Sequence, residues 1–219
     1  MTVVAIDGPA GAGKSTIGRA VARALGWTFV DTGAMYRSVA LAALEGGLNL
    51  DDGAALGRLA SSLEMDADAH ATIVNGVDVS ERIRTADVTR AVSRVSAHAA
   101  VREVLSHRQR EVASGGNVVM EGRDIGSAVV PGADVKVFLT ATSRERALRR
   151  SRQLGLSQDD AALRDLEASL TARDSADARR AVSPFVRAPD ALVIDSTGMD
   201  LDGVVRRIVD AVRSAGHAT

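Results

Sequence analysis

Short, unbroken apolar stretches rich in β-branched residues recur at residues 3–6, 117–120, 135–139 and 192–194, each bounded by turn-forming residues. Runs of this length predict strands covered on both faces. A shorter run at 28–30 is a fifth candidate. Between them the apolar positions follow a helical period over 15–25, 34–44, 85–113, 143–154 and 201–215. Strands alternating with helices imply a parallel sheet with right-handed crossovers, an α/β fold. One stretch breaks the alternation. Asn75-Gly76 lies between two apolar-rich triplets, 72–74 and 77–79, and predicts a tight hairpin. Inside a parallel α/β chain it is an edge insertion or small subdomain, on the substrate side if the carboxyl-end rule for ligand crevices applies. Residues 216–219 read as a frayed tail.

Composition narrows the class. With 219 residues, 46% hydrophobic and 25% charged, the chain fits one soluble domain with a core that needs no covalent staples. It has no cysteine, which excludes disulfides, thiolate metal sites and thiol nucleophiles. The opening lacks a basic region before an apolar run, and no eighteen-residue apolar stretch occurs, so a cytoplasmic location is expected. A net charge of −1 gives no global support for nucleic-acid binding. Of the 27 basic residues only two, Lys14 and Lys136, are lysines.

Lys14 belongs to the strongest motif. Gly8-Pro9-Ala10-Gly11-Ala12-Gly13-Lys14-Ser15 matches G-x-x-x-x-G-K-[ST] after a predicted strand, and Thr16 continues it into a predicted helix. Glycines let several backbone N–H groups converge on one anion, and the helix N-terminus adds its dipole. Lys14 supplies a point charge for the β- and γ-phosphates, and Ser15 offers its hydroxyl to Mg²⁺. The motif predicts a nucleoside triphosphate site.

No N-K-x-D guanine reader is present. The strand at 118–120 runs into Glu121-Gly122-Arg123-Asp124, and an arginine at a strand's end faces the ligand crevice, which points to a second anion. Arg37, one turn into the helix after the second strand, is another candidate, as are Arg84, Arg102, Arg173 and Arg180. Residues 173–180 are polar on nearly every helical face and read as a mobile lid that closes on charge. Two other readings stay open. One is a P-loop kinase of a different monophosphate or of a hydroxyl acceptor, the latter needing a base, for which Asp31 could serve; the other is an RNA-binding ATPase module using the basic stretch 144–152, although aromatics make up only 2% of the chain.

Taken in order, IDGPAGAGKST at 6–16, DTGAMYR at 31–37, IRT at 83–85, VRE at 101–103, GRDIG at 122–126, KVFLTA at 136–141 and RDSADARRAVSP at 173–184 resemble the bacterial cytidylate kinases, nucleoside monophosphate kinases of the P-loop class. The resemblance implies a five-stranded parallel core covered by helices, a helical lid, and a monophosphate-binding part with a small antiparallel insertion. It divides the chain into a core (about 1–31, 114–150 and 188–219), a monophosphate-binding part (about 32–113) and a lid (about 151–187). It implies transfer of phosphate from ATP to CMP and dCMP with Mg²⁺, by a monomer that needs neither nucleic acid nor membrane. Lys14, Arg123 and Arg173 would be catalytic. Ser93, Arg102 and Asp124 would meet the cytosine, Arg37, Arg123 and Arg173 the acceptor phosphate, and Asp177 and Arg180 the ribose, with Thr32 and Tyr36 in the same pocket. Thr32 stands where many relatives have Ser, and Glu121 where some have Asp. The four histidines share no motif, and the reaction needs no general base, because a nucleotide's phosphate, with a second pKa of about 6, is already ionised at neutral pH.

Overall fold

The computed structural model describes residues 1–216; the part of the predicted tail at 217–219, with His217, lies outside the described residues. Strand β1 (Val3–Asp7) leads through the phosphate-loop motif into helix α1 (Lys14–Leu25), followed by β2 (Thr28–Asp31) and α2 (Thr32–Glu45). Helix α3 (Gly53–Ser62) precedes three short strands, β3 (Met65–Ala67), β4 (Thr72–Val74) and β5 (Val77–Asp78). After a 3₁₀ turn at Arg82–Arg84 come α4 (Ala86–Val95), α5 (Ala99–Ser114) and β6 (Val118–Gly122). The chain ends with β7 (Val135–Thr140), α6 (Ser143–Leu154), α7 (Asp160–Ala178), β8 (Leu192–Asp195) and α8 (Leu201–Gly216).

The main sheet has five strands in the order β2-β6-β1-β7-β8, every pairing parallel. Alternation along β1 splits the core. Val3 and Ala5 join the cluster built with α2 to α5, whereas Val4 and Ile6 join the one built with α1 and α8. Both faces of the sheet are therefore covered, which is why its strands read as continuous apolar runs. All five predicted strands form, and each extends one or two residues further toward its carboxyl end. Among those added residues Asp7, Asp31 and Glu121 are polar and buried, and Asp31 and Glu121 form the floor of the site.

Two expectations are revised, and a third segment gains its context. The helical stretch 85–113 is two helices, broken at Ser96 to His98, because α4 packs on α2 while α5 packs on α3. His98 marks the bend, and its Nε2 meets the Leu50 carbonyl at 2.8 Å. The hairpin at Asn75-Gly76 forms in the expected register, but β3 joins it, giving a separate antiparallel sheet β3-β4-β5. The segment around 173–180, polar on nearly every face, lies at the end of the 19-residue α7, which buries Leu163 and Leu170 against Ala147 of α6. Two leucines seven residues apart make a stripe too thin to stand out in the sequence.

Candidate active site

The phosphate loop is shaped by backbone that only glycine accepts readily. Gly11 has φ 77°, and a Cβ there would lie 2.9 Å from the Arg146 carbonyl oxygen. A Cβ on Gly8 would run into the carbonyl of Leu139 on β7. Lys14 opens α1, and its Nζ donates to the Pro9 carbonyl at 3.0 Å, within the loop itself. Ser15 Oγ donates to the Glu121 carboxylate, and Thr32 Oγ1 donates to the Glu121 carbonyl at 2.6 Å. Strand register explains this convergence, since Glu121 stands opposite Ile6 on one side and Asp31 on the other.

Burial dominates the protonation of these groups. It pushes the Glu121 carboxyl up to about 7, with Asp31 adding repulsion, and pushes Lys14 down to about 8, with Arg123 adding to the effect. Asp7 rises to about 6 through burial, although the N–H groups of Gly126 and Ile125 both donate to its carboxylate at 2.8 Å. Those two bonds tie the end of β1 to the residues just after Arg123 and Asp124.

Two cavities meet at this floor. The larger, about 780 Å³, runs from Gly11, Gly13, Lys14, Ser15 and Thr16 along Arg149 and Ser196 to Met199–Val204, and its other wall is Ala69 to Thr72 with Ser80. The antiparallel insertion thus borders the phosphate-loop cleft. The smaller cavity, about 200 Å³, is lined by Thr32, Tyr36, Arg37, Arg102, Arg123 and Asp124, and by Arg173, Asp177 and Arg180 of the lid segment. Gly11, Lys14, Ser15 and Glu121 line both cavities, as do Arg84, Arg150 and Gln153. Of the predicted acceptor-side residues, Ser93 does not line this cavity. Its neighbours Val92 and Ser96 do, and the Ser93 carbonyl accepts from Ser96 Oγ at 3.3 Å. Gly8, Pro9 and Ala12 shape the loop from behind and line neither cavity.

Positive charge gathers in the smaller cavity. Arg37 donates to the Ile83 carbonyl and Thr89 Oγ1, both at 2.9 Å, and burial followed by Arg173, Arg150 and Arg84 pushes its guanidinium down to about 9. Burial, then Arg123, brings Arg173 down to about 10, and its Nε has no partner among the described residues. Such crowding of like charge is the signature of an anion site. At the far end Arg102, 2% exposed, pairs with the Asp124 carboxylate and lies 5.3 Å over the Tyr36 ring. A buried, charged donor and acceptor side by side make a reader of polar edges. Arg180 pairs with Asp177 and reaches Ser96 Oγ at 3.0 Å. Arg123 Nη1 donates to the Gly8 carbonyl at 3.1 Å and to Asp174 at 2.8 Å, while Nη2 pairs with Asp177 at 3.0 Å.

The sequence did not single out the arginine face of α6. Arg146, Arg149, Arg150 and Gln153 follow the i, i+3, i+4, i+7 rule of one helix face, a pattern that could have marked them. Arg146 donates to the Ala10 carbonyl at 2.9 Å and to Asp174 at 2.6 Å, and Arg149 to the Ala12 carbonyl at 3.0 Å. Asp174, which the sequence marks only as part of the polar stretch 173–180, accepts from Ala10 N at 3.0 Å and so joins α7 to the phosphate loop.

A phosphate loop at the carboxyl edge of a parallel sheet, sharing one lysine and one serine with a second, arginine-lined cavity, defines a P-loop kinase of small molecules. The family model for cytidylate kinase matches residues 4–214. A cytidylate kinase from Ligilactobacillus salivarius is 44% identical over 218 residues, covering 98% of this chain and 97% of its own. One from Desulforamulus reducens is 48% identical over 209 residues, covering 94% of each. A solved structure of an uncharacterized protein from Eubacterium ventriosum shares the fold, with a TM-score of 0.55 at 11% identity, over 98% of this chain and 99% of that one. The chain belongs to the cytidylate kinase family.

Proposed function

We propose that this enzyme transfers the γ-phosphoryl group of ATP directly to the phosphate of CMP, and of dCMP, yielding ADP and the diphosphate. One observation carries the reading: Lys14 and Ser15 form a shared wall between the phosphate-loop cleft and a cavity that gathers Arg37, Arg123 and Arg173. In the step, an acceptor phosphate oxygen bonds to the γ-phosphorus as the bond to the β–γ bridging oxygen breaks, and ADP leaves. The attacking oxygen needs no base. The protein's task is to hold two anions in line and to offset their repulsion, which falls to Lys14, Arg123 and Arg173. Closure of α7 over the junction keeps water from taking the phosphoryl group.

Ser15 Oγ, the buried Glu121 carboxylate and Asp31 beside it are hard oxygen donors of the kind Mg²⁺ prefers. Ser15 and Glu121 would hold the ion together with the phosphates, and when bound it supplies positive charge to the β- and γ-oxygens. The acceptor contacts fit the same scheme: Arg102 and Asp124, with Ser93 beside Ser96, for the base, and Asp177 and Arg180 for the ribose. The three-part division into core, monophosphate-binding part and lid belongs to this reading too. So do work as a cytoplasmic monomer and the absence of a nucleic-acid partner.

Among the described residues no helix is long and apolar enough to cross a membrane. A hydroxyl acceptor draws little support, since Asp31 Oδ1 caps α2 through Ala34 N and Oδ2 faces Arg84 and Arg19. The basic stretch 144–152 spends Arg144, Arg146 and Arg149 on internal carboxylates, which leaves a poor surface for RNA.

The test is ADP release in a coupled assay with ATP and Mg²⁺ and CMP, dCMP, UMP, AMP, GMP or shikimate offered separately. Turnover with CMP and dCMP is expected; turnover only with another acceptor would overturn the assignment. Asp124→Ala should lower the CMP to UMP ratio of kcat/KM by about tenfold or more, because a buried polar reader of the amino group is lost. An unchanged ratio would remove Asp124 from that role.

A further inference from the structure

The chain has five aromatic residues, and three of them each carry an arginine over the ring face. One of these pairs lies where the lid segment returns to the core. Arg123 sits 5.0 Å above the ring of Phe185, and that ring stacks on Phe138 of β7 with centroids 5.7 Å apart at 19°. Phe185 is fixed from two directions: its N–H donates to the Asp177 carbonyl at 3.1 Å, and Ser183, two residues earlier, has φ 50°, a left-handed backbone that serine adopts rarely. Ser183 also lends a side-chain hydrogen bond to Asp124. A strained residue followed by an aromatic, touching neighbouring residues of the acceptor cavity, suggests a segment shaped for that cavity.

The geometry points to Phe185 as a positioning residue: its ring, backed by Phe138, holds the face of the Arg123 guanidinium so that its N–H groups stay aimed at the acceptor phosphate. Gly8, Asp174 and Asp177 hold Nη1 and Nη2 by their edges, and the ring supports the guanidinium face that these polar contacts do not cover. Phe185 arrives on the lid segment and Phe138 on the sheet, so the stack also registers the lid's return against the core. This assignment rests on the proposed contact between Arg123 and the acceptor phosphate.

The experiment compares Phe185→Leu, Phe185→Tyr and Arg123→Ala by CMP affinity in calorimetry, steady-state kinetics and melting temperature. Leucine keeps an apolar body and removes the π face. It is expected to weaken CMP binding and lower kcat/KM for CMP by roughly tenfold, the scale of a partly desolvated cation–π contact. ATP affinity should be unchanged, and tyrosine should restore CMP binding to within about threefold of the parent. In an Arg123→Ala background the Phe185→Leu change should add nothing to CMP affinity, since the two residues act as one unit. A Phe185→Leu enzyme that matches the parent, or tyrosine that performs no better than leucine, would reduce Phe185 to filler and overturn the proposal. Parent-like turnover and CMP affinity in Arg123→Ala alone would instead overturn the reading of Arg123.

Discussion

Arg123→Ala is expected to lower kcat/KM for CMP by about 10²- to 10³-fold while ATP affinity changes little, the loss typical of removing one preorganised donor to developing charge. The side chain is placed for this outcome. It lies at the end of β6, over the shared wall of the two cavities, where it is anchored on the Gly8 carbonyl and held by Asp174 and Asp177. Removing it has a second consequence, because Asp174 and Asp177 lose a cation in a half-buried setting. Asp174 keeps Arg146 and Asp177 keeps Arg180, so the end of α7 retains charge partners and the fold should survive. ATP titration by calorimetry, beside steady-state kinetics, separates the two effects. Turnover near the parent's would contradict the mechanism, whereas a parallel collapse of ATP affinity would assign Arg123 to the donor.

Glu121→Gln should cost about 10²-fold in kcat and also flatten the pH dependence of stability. The carboxylate receives the Ser15 hydroxyl and is the acidic group nearest the junction on the middle of three adjoining strands. In the ligand-free enzyme the group titrates at about 7 rather than at its ordinary value of 4.5. Between those values the folded chain holds a proton that the unfolded chain has released, so stability declines as pH rises from about 4.5 to about 7. Asp7 produces a decline of the same sign, from 3.8 to about 6. Between pH 6 and 7 the Asp7 contribution fades while that of Glu121 continues, so the slope of melting temperature there should be shallower in the glutamine variant than in the parent. Equal slopes would place the titration elsewhere. The glutamine oxygen can still accept from Ser15 and its amide can face Asp31, so the variant should fold.

The parts of this site that sequence made legible are those written locally. The phosphate loop needs particular residue types at fixed spacing, and the five strands announce themselves because both faces of the sheet are covered. Arg123 and Asp124 could be placed at the crevice because a strand's carboxyl end has a known direction in such a sheet. What stayed hidden depends on pairs distant in the chain. Nothing near Asp174 reveals that it will accept from Ala10, 164 residues away. The break between α4 and α5 is likewise a tertiary choice, since the local helical period runs on while the two packing partners, α2 and α3, differ in position. Ser93 lies on α4, within the helical period that marks the segment, while the cavity wall there is formed by Val92 and Ser96, a one-turn choice that packing makes. The arginines of α6 look like a charge run in the sequence because many of their partners come from the phosphate loop, α7 and the segment after β8.

The adjacency of β2, β6 and β1 bears on how such an enzyme can change. Asp31, Glu121 and the residues leading into the phosphate loop stand on neighbouring strands in direct register, about 4.8 Å apart from strand to strand. The spacing of these carboxylates from the phosphate loop is thus set by main-chain hydrogen bonds, which are indifferent to side-chain drift. Substitutions along α4, α5 and the 183–185 segment can reshape what the smaller cavity accepts without altering that separation. The shape of the smaller cavity and the spacing of the strand ends thus rest on different parts of the molecule, and a lineage can alter the first while keeping the second.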